Sequence, residues 1–499
     1  MTLAVTDTAA DTRLLRGSLP LWVGIVVYAV LIVSGDRLLL DPDTQWQITV
    51  GQWILDHRDV PHTDIYSFTM RGEPWISTQW LAQVAYAKVY AWLGWTGPVV
   101  LAAAASAATF ALLARYLVRS LSESAALIFV AVALALTAPH LLARPHVLAL
   151  PIMVAWIGEL IAAADRRAAP SFLLLPLMLL WANVHGGFVF GLVMIAPIAL
   201  DAVVGAQSGR RISLAVQWSA FAALALAASC CTPYGWESLL ASRKILALGG
   251  ALPLITEWHA ADFTHVGPLE ICLLAGFGLA LFGGITLPPL RIAILLLLVH
   301  MALAQGRAAE IFALLAPLVL ARPLGPQIGE TEEAPANTPA PARGAMFAGL
   351  AIVLVAGTLT FASMHRYAPN TVNSPAAAVS ELKKLNVERV LNDYDFGGYL
   401  IANGVAPFID GRTELYGEKF FVDHNTAFSL IEPETLFRLL EQYQIQATLM
   451  RSQSAAAKLL DHIDGWQKVF SDDVATIHVR KPGAPHTAEP RVEPSAHFP

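Results

Sequence analysis

Charged residues are scarce in this 499-residue chain, at 14% against 56% hydrophobic, and the mean hydropathy is +0.55. Soluble globular chains carry about 25% charged residues, so a membrane protein is expected. Cysteine is nearly absent. Cys230, Cys231 and Cys272, each in or beside an apolar run, build neither a disulfide framework nor a thiolate metal site. A basic excess is missing too: the formal net charge is −6 and the pI near 6.2, so the chain lacks the electrostatic footprint of a nucleic-acid binder. No small-residue cleavage motif follows the first apolar run, which continues into Asp36 and Arg37 and is expected to stay as an anchor. FGGYLIANG lacks the GxGxxG spacing of a nucleotide loop, and Gly397 and Gly398 are expected to permit a tight turn between strand and helix.

What is abundant is apolar sequence in runs long enough to cross a bilayer, which takes about 20 residues as a helix. Eleven such segments are expected, near 19–36, 98–117, 124–141, 147–164, 171–184, 187–206, 213–231, 268–286, 290–305, 308–321 and 345–364. Arginines near spanning segments are retained in the cytoplasm. In an eleven-helix count Arg13, Arg16, Arg115, Arg119, Arg166, Arg167, Arg210, Arg211, Arg291, Arg322 and Arg343 all fall on one side. The amino terminus is then cytoplasmic and the carboxyl terminus outside. The expected architecture is a polytopic α-helical membrane domain over 1–364, with a long first outside loop at about 37–97 and a cytoplasmic Pro/Ala-rich linker at about 323–343. A soluble α/β domain follows over 370–482, where VERVLND, APFID, ATLM and VATIHV read as strands and AAAVSELKKL and ETLFRLLEQY as helices. A disordered tail is expected over 483–499.

The remaining charges sort by side. The connections assigned to the cytoplasm hold little besides arginine, whereas those assigned outside collect acids, histidines and isolated arginines. The first outside loop opens on Asp41 and Asp43 (DPDTQWQITVGQWIL) and continues to Asp64 in VPHTDIYSF. Later outside turns supply His140, Arg144 and His146 (PHLLARPH), Asn183 and His185 (WANVHGG), Tyr234, Glu257, Trp258 and His259 (TPYGWES, ITEWHAADF), then Arg307 and Glu310 (AQGRAAE). Ionisable groups at span ends are costly to bury, so their convergence on one face points to a site. Arg144 opposes the positive-inside trend and calls for an anionic partner, for which phosphate is a natural candidate. Each group has a plainer reading: interfacial histidines bonded to backbone, an Arg144 that only caps a helix before Pro145, an Arg307–Glu310 helical pair. In the carboxyl-terminal region FIDGRTELYG sets Asp410, Arg412 and Glu414 together. Ligand binding and a local Asp–Arg pair shaping a turn are both open there.

These residues resemble the glycosyltransferase C superfamily, the multi-spanning, lipid-sugar-dependent enzymes that include oligosaccharyltransferases, protein mannosyltransferases and lipid A aminoarabinose transferases. The resemblance rests on the first span, the acidic DxD-like pair, the helix after it and the Pro/Asp turn. LLARPHVL, WANVHGG, TPYGW, TEWHAADF and NDYDFGGYL…FIDGRTELYG are similar to a group of bacterial multi-spanning proteins placed near that superfamily. No WWD-type motif is present in the carboxyl-terminal region, which argues against asparagine-linked transfer to protein.

The resemblance implies sugar transfer from a polyprenyl-phosphate donor to a glycan, lipid or protein acceptor on the outer face of a bacterial inner membrane. Asp41 or Asp43 would be the base, with Asp43 preferred, and Glu257 a second acid. Arg144, His146 and Arg307 would hold the lipid phosphate, while Asp64, His185, Trp258 and His259 would bind substrate. Asp43, His146 and Glu257 are the candidate ligands of a divalent metal, Mg²⁺, Mn²⁺ or Zn²⁺, with a metal-free site the equal alternative. The competing class is a transporter or flippase of a lipid-linked or anionic solute.

Overall fold

Ten of the eleven expected apolar segments, together with 352–362 of the eleventh, are apolar helices in a computed structural model that describes residues 19–246, 248–255, 258–329 and 340–481. Among the described residues five helices are long and apolar enough to cross a membrane: Thr96–Leu117, Glu123–His140, Pro145–Asp165, Ser208–Ser229 and Ala308–Ile328. The others are shorter, 10–17 residues, and the segment expected at 187–206 is broken between Phe188–Val193 and Ile195–Val204. Arg13, Arg16, Glu257, most of the acidic part of the linker and the tail lie outside the described residues.

The first helix, Leu19–Val33, packs along Thr96–Leu117, which in turn lies against Pro145–Asp165. Their shared core is aliphatic, with Val99, Ala103, Phe110, Val154 and Leu160 fully buried. Between the first two apolar helices the long loop folds into two helices packed on each other, Thr44–His57 and Trp80–Leu93. A buried glutamine chain joins them: Gln83 Nε2 donates to Gln47 Oε1 at 2.7 Å, and Gln47 Nε2 donates to Gln79 Oε1 at 3.0 Å. Each of these buried amides therefore has its partner. A further helix, Glu237–Leu246, occupies the late loop.

The carboxyl-terminal region holds a four-stranded sheet in the order β1-β2-β4-β3: β1 Val390–Asn392, β2 Ala447–Arg451, β3 Trp466–Ser471 and β4 Ala475–Arg480. β1 runs parallel to β2, and the other pairs are antiparallel. Strand alternation sends Val390, Ala447, Leu449 and Ile477 to a face covered by Ala376–Lys384, and Leu391 and Met450 to a second core with Phe408, Leu436 and Leu440. Two expectations are corrected. APFID contributes only an isolated bridge, Val390 to Pro407, because Asn392 takes the Phe408 N–H at 2.7 Å and ends the pairing. β3 and the helix Thr413–Ser429, kinked at Gly417 with φ 78°, were not foreseen.

His424 on that helix is buried, its Nε2 on the Asn392 carbonyl at 2.9 Å, and burial pushes its pKa down to about 4. An unfolded histidine titrates near 6.5. The unfolded chain therefore binds more protons between those values, so this stability is complete above about pH 6.5 and is lost toward pH 4, by on the order of 3 kcal/mol. His424→Gln is expected to flatten the fall of the unfolding midpoint between pH 7.5 and 5 in scanning fluorimetry. Asp393, pushed up to about 6 chiefly by burial, acts in the opposite sense in both proteins, so their difference isolates His424. An equal fall in both would refute the assignment.

Candidate active site

The first helix ends in a short 3-10 turn, Gly35–Leu39, and delivers Asp41, Pro42 and Asp43 to the start of Thr44–His57. Asp41 Oδ1 accepts the Asp43 N–H at 2.7 Å, which folds the DPD segment into a tight turn. Asp43 stands at the helix N-cap yet makes no side-chain cap bond. It reaches Arg144 instead. Arg144 Nη2 donates to Asp43 Oδ2 at 2.6 Å, and Arg144 Nε pairs with Asp41 Oδ2.

Arg144 is held in extended backbone, φ −121° and ψ 155°, because Pro145 disfavours the helical region in the residue before it. Three bonds then stitch its segment to the acids: Ala143 N–H to the Leu38 carbonyl at 2.7 Å, Thr44 Oγ1 to the Ala143 carbonyl at 3.1 Å, and Tyr86 hydroxyl to the Arg144 carbonyl at 3.1 Å. The Asp41 side chain is 0% exposed and that of Asp43 17%, so Asp43 is the carboxylate a ligand can reach.

The carboxyl-terminal region forms the roof of this cluster. A Cβ at Gly398 would lie 2.3 Å from the Pro42 carbonyl oxygen, and one at Gly411 would lie 2.0 Å from Asp43 Oδ1. FGGYL and DGR therefore need glycine for close approach to the acids, which corrects the expected tight turn at Gly398. Tyr394, whose hydroxyl meets Thr413 Oγ1 at 2.8 Å, has its pKa pushed well above the ordinary tyrosine value by burial and then by the Asp43 carboxylate, so it stays protonated beside the pair. These roof residues were missed as functional, although the paired glycines and the aromatic next to them were visible in the sequence.

A second polar group lies on the neighbouring helix ends. His146 Nε2 meets the His140 carbonyl at 3.0 Å and stands 3.8 Å from Glu310, and its ring centroid is 6.4 Å from that of His185. His146 Nδ1 is buried without a hydrogen-bond partner among the described residues. His185 Nδ1 accepts the Gly187 N–H at 3.0 Å. Arg307 caps the helix Ala308–Leu324 one turn before Glu310, and the Gly306 N–H beside it donates to the His259 carbonyl at 2.7 Å. The late loop thus reaches the Arg307 turn, with Trp258 half-buried and the His259 side chain exposed.

Asp64 is placed elsewhere, buried at 1%. Its oxygens accept from the Tyr66 and Ser67 N–H groups at 3.1 and 3.0 Å and from Arg412 Nη1 at 2.5 Å. Arg412 also binds Asp410 with Nε at 2.8 Å and Nη2 at 2.7 Å, and its guanidinium lies 4.8 Å from the Trp75 ring centroid. The local Asp–Arg pair exists, then, and it also ties the first loop to the sheet region. As for a metal, no three His, Cys, Asp or Glu residues among those described are grouped to hold one, and Arg144 already occupies both DPD carboxylates. Of the candidate ligands, Asp43 and His146 are described and Glu257 lies outside the described residues.

No family model and no curated protein matches this chain. Among solved structures its fold has counterparts. In particular it is similar to the apo oligosaccharyltransferase of Archaeoglobus fulgidus, with a TM-score of 0.50 over 92% of this chain and 74% of that chain at 12% identity. ArnT from Cupriavidus metallidurans, bound to undecaprenyl phosphate, aligns over 96% of this chain and 99% of its own at 12% identity, but at a TM-score of 0.32. At 12% identity the likeness to the oligosaccharyltransferase is one of fold.

Proposed function

We propose that the chain is a membrane glycosyltransferase that moves a sugar from a polyprenyl-phosphate donor to a glycan, lipid or protein acceptor on the extracytoplasmic face. The observation that carries this reading is a reachable carboxylate, Asp43, bonded to an arginine, Arg144, at the head of Pro145–Asp165 and under a glycine roof.

Asp43 takes the proton of the acceptor hydroxyl while the acceptor oxygen bonds to the anomeric carbon. The bond from that carbon to phosphate breaks, and its electron pair leaves on the polyprenyl phosphate. Arg144 turns from the carboxylates to the phosphate charge as it develops, aided by His146 and Arg307. Asp41 holds Arg144 in place; His185, Glu257, Trp258 and His259 contact substrate. In this reading all eleven apolar segments cross a bacterial inner membrane, residues 1–364 are the membrane domain with a cytoplasmic amino terminus, and 370–482 form a periplasmic domain over the site.

Purified protein in sealed liposomes, supplied with labelled polyprenyl-phosphate sugars, is expected to move label to an acceptor and release polyprenyl phosphate. Nucleotide sugars are expected to be inert. Label that crosses the bilayer chemically unchanged would replace the enzyme with a transporter. Gly411→Ala, which forces Asp43 to shift, is expected to lower kcat by about 10- to 100-fold with little change in KM for the donor. Wild-type kcat in that variant would remove the roof from the mechanism.

A further inference from the structure

The helices that begin at the candidate site end in a basic cavity. Pro145–Asp165 starts beside Arg144 and, over 21 residues, reaches Arg166 about 30 Å away at 1.5 Å per residue. Ala308–Leu324 carries Glu310 in its first turn and Arg322 in its last. Arg119 follows the end of Thr96–Leu117. These three arginines, from three helix ends, line a cavity of about 170 Å³. A water occupies about 30 Å³ of liquid, so the space admits a phosphodiester group.

The cavity is positively charged and built. Tyr116 forms one wall, its ring packed so closely on Gly158 that a Cβ there would lie 2.7 Å from it. Its hydroxyl donates to Glu159 Oε1 at 3.0 Å. Arg119 is steadied by this wall, 4.5 Å above the Tyr116 ring and 3.6 Å from Glu159. Asp165, an acid in the lining, is paired at 2.7 Å with the buried Arg291. Arg322 also acts electrostatically on Asp165, and Arg166 stands beside it in the lining. Topology alone accounts for arginines near span ends, but not for three from separate helix ends converging on one cavity.

We propose that this cavity binds the phosphate of an anionic membrane phospholipid. A bilayer core is about 30 Å thick, so arginines one such helix length from the candidate site stand at headgroup level. Basic pockets between membrane helices hold such headgroups through charge-assisted bonds. The inference takes from the proposed function only the crossing of the membrane, not the sugar chemistry.

The test is native mass spectrometry of the full chain, carrying phosphatidylglycerol or phosphatidylcholine. The wild type is expected to retain phosphatidylglycerol at least tenfold better than phosphatidylcholine. Arg166→Gln with Arg322→Gln is expected to abolish the difference, and Ala162→Phe, which fills the cavity and keeps its arginines, to reduce it at least fivefold. Unfolding midpoints in phosphatidylcholine nanodiscs identify variants that fold. Undiminished selectivity in the folded variants would overturn the proposal, and displacement of the lipid by inorganic phosphate at equal concentration would replace it with a soluble-anion site. Loss of the transferase reading, by absence of sugar transfer, leaves this lipid readout unaffected.

Discussion

Asp43→Asn is expected to lower kcat for sugar transfer by about 10³-fold, within the range a positioned general base contributes, with the protein still folded. The amide keeps the side chain's shape but cannot accept the acceptor's proton, and its bond to Arg144 loses one of its two charges. Asp41→Asn removes a group that only positions Arg144, so its effect should be smaller, about tenfold, and should appear partly in KM for the donor. Single-turnover assays with a labelled polyprenyl-phosphate sugar separate the two. Undiminished transfer in both variants would leave the chain without its base. Equal losses in kcat would assign the proton transfer to the pair rather than to Asp43.

Arg412→Met is expected to cost about 3–5 kcal/mol, because it leaves Asp64 and Asp410 buried with no cation between them. The loss should show as protease sensitivity of the sheet region and as a lower unfolding midpoint. Arg412→Lys should recover only part, since an ammonium cannot reproduce the fork that binds Asp410 twice and Asp64 once. A triple variant, Arg412→Met with Asp64→Asn and Asp410→Asn, should be more stable than Arg412→Met alone, because no charge is then stranded. Unaltered stability of Arg412→Met would show that the buried network does not hold the two regions together.

The apolar segments were legible because a bilayer leaves one answer for a long uncharged run. That Arg144 takes an anionic partner was legible as well, from a cation set at the head of an apolar run. Which anion was not. Asp43 lies 101 residues away, and no periodicity records which helix ends meet. Asp64 reads as a substrate-binding residue for the same reason, since its partner Arg412 is 348 residues distant. Gly398 looked local because glycine signals backbone freedom, whereas it and Gly411 each make room for a neighbour from the first loop. β3, WQKVFS, escaped because its burial pattern is largely exposed, so it carries little of the inward-outward alternation that marks a strand.

The contact between Gly411 and Asp43 bears on inheritance as well as on packing. Two stretches separated by most of the chain share one surface, with no slack for even a methyl group. A change in the DPD turn is tolerated only if the glycine stretch accepts it, so the two behave as one unit under selection. Chimeras that exchange the carboxyl-terminal region between diverged relatives should therefore fail as single swaps and recover when the acidic turn is exchanged along with it.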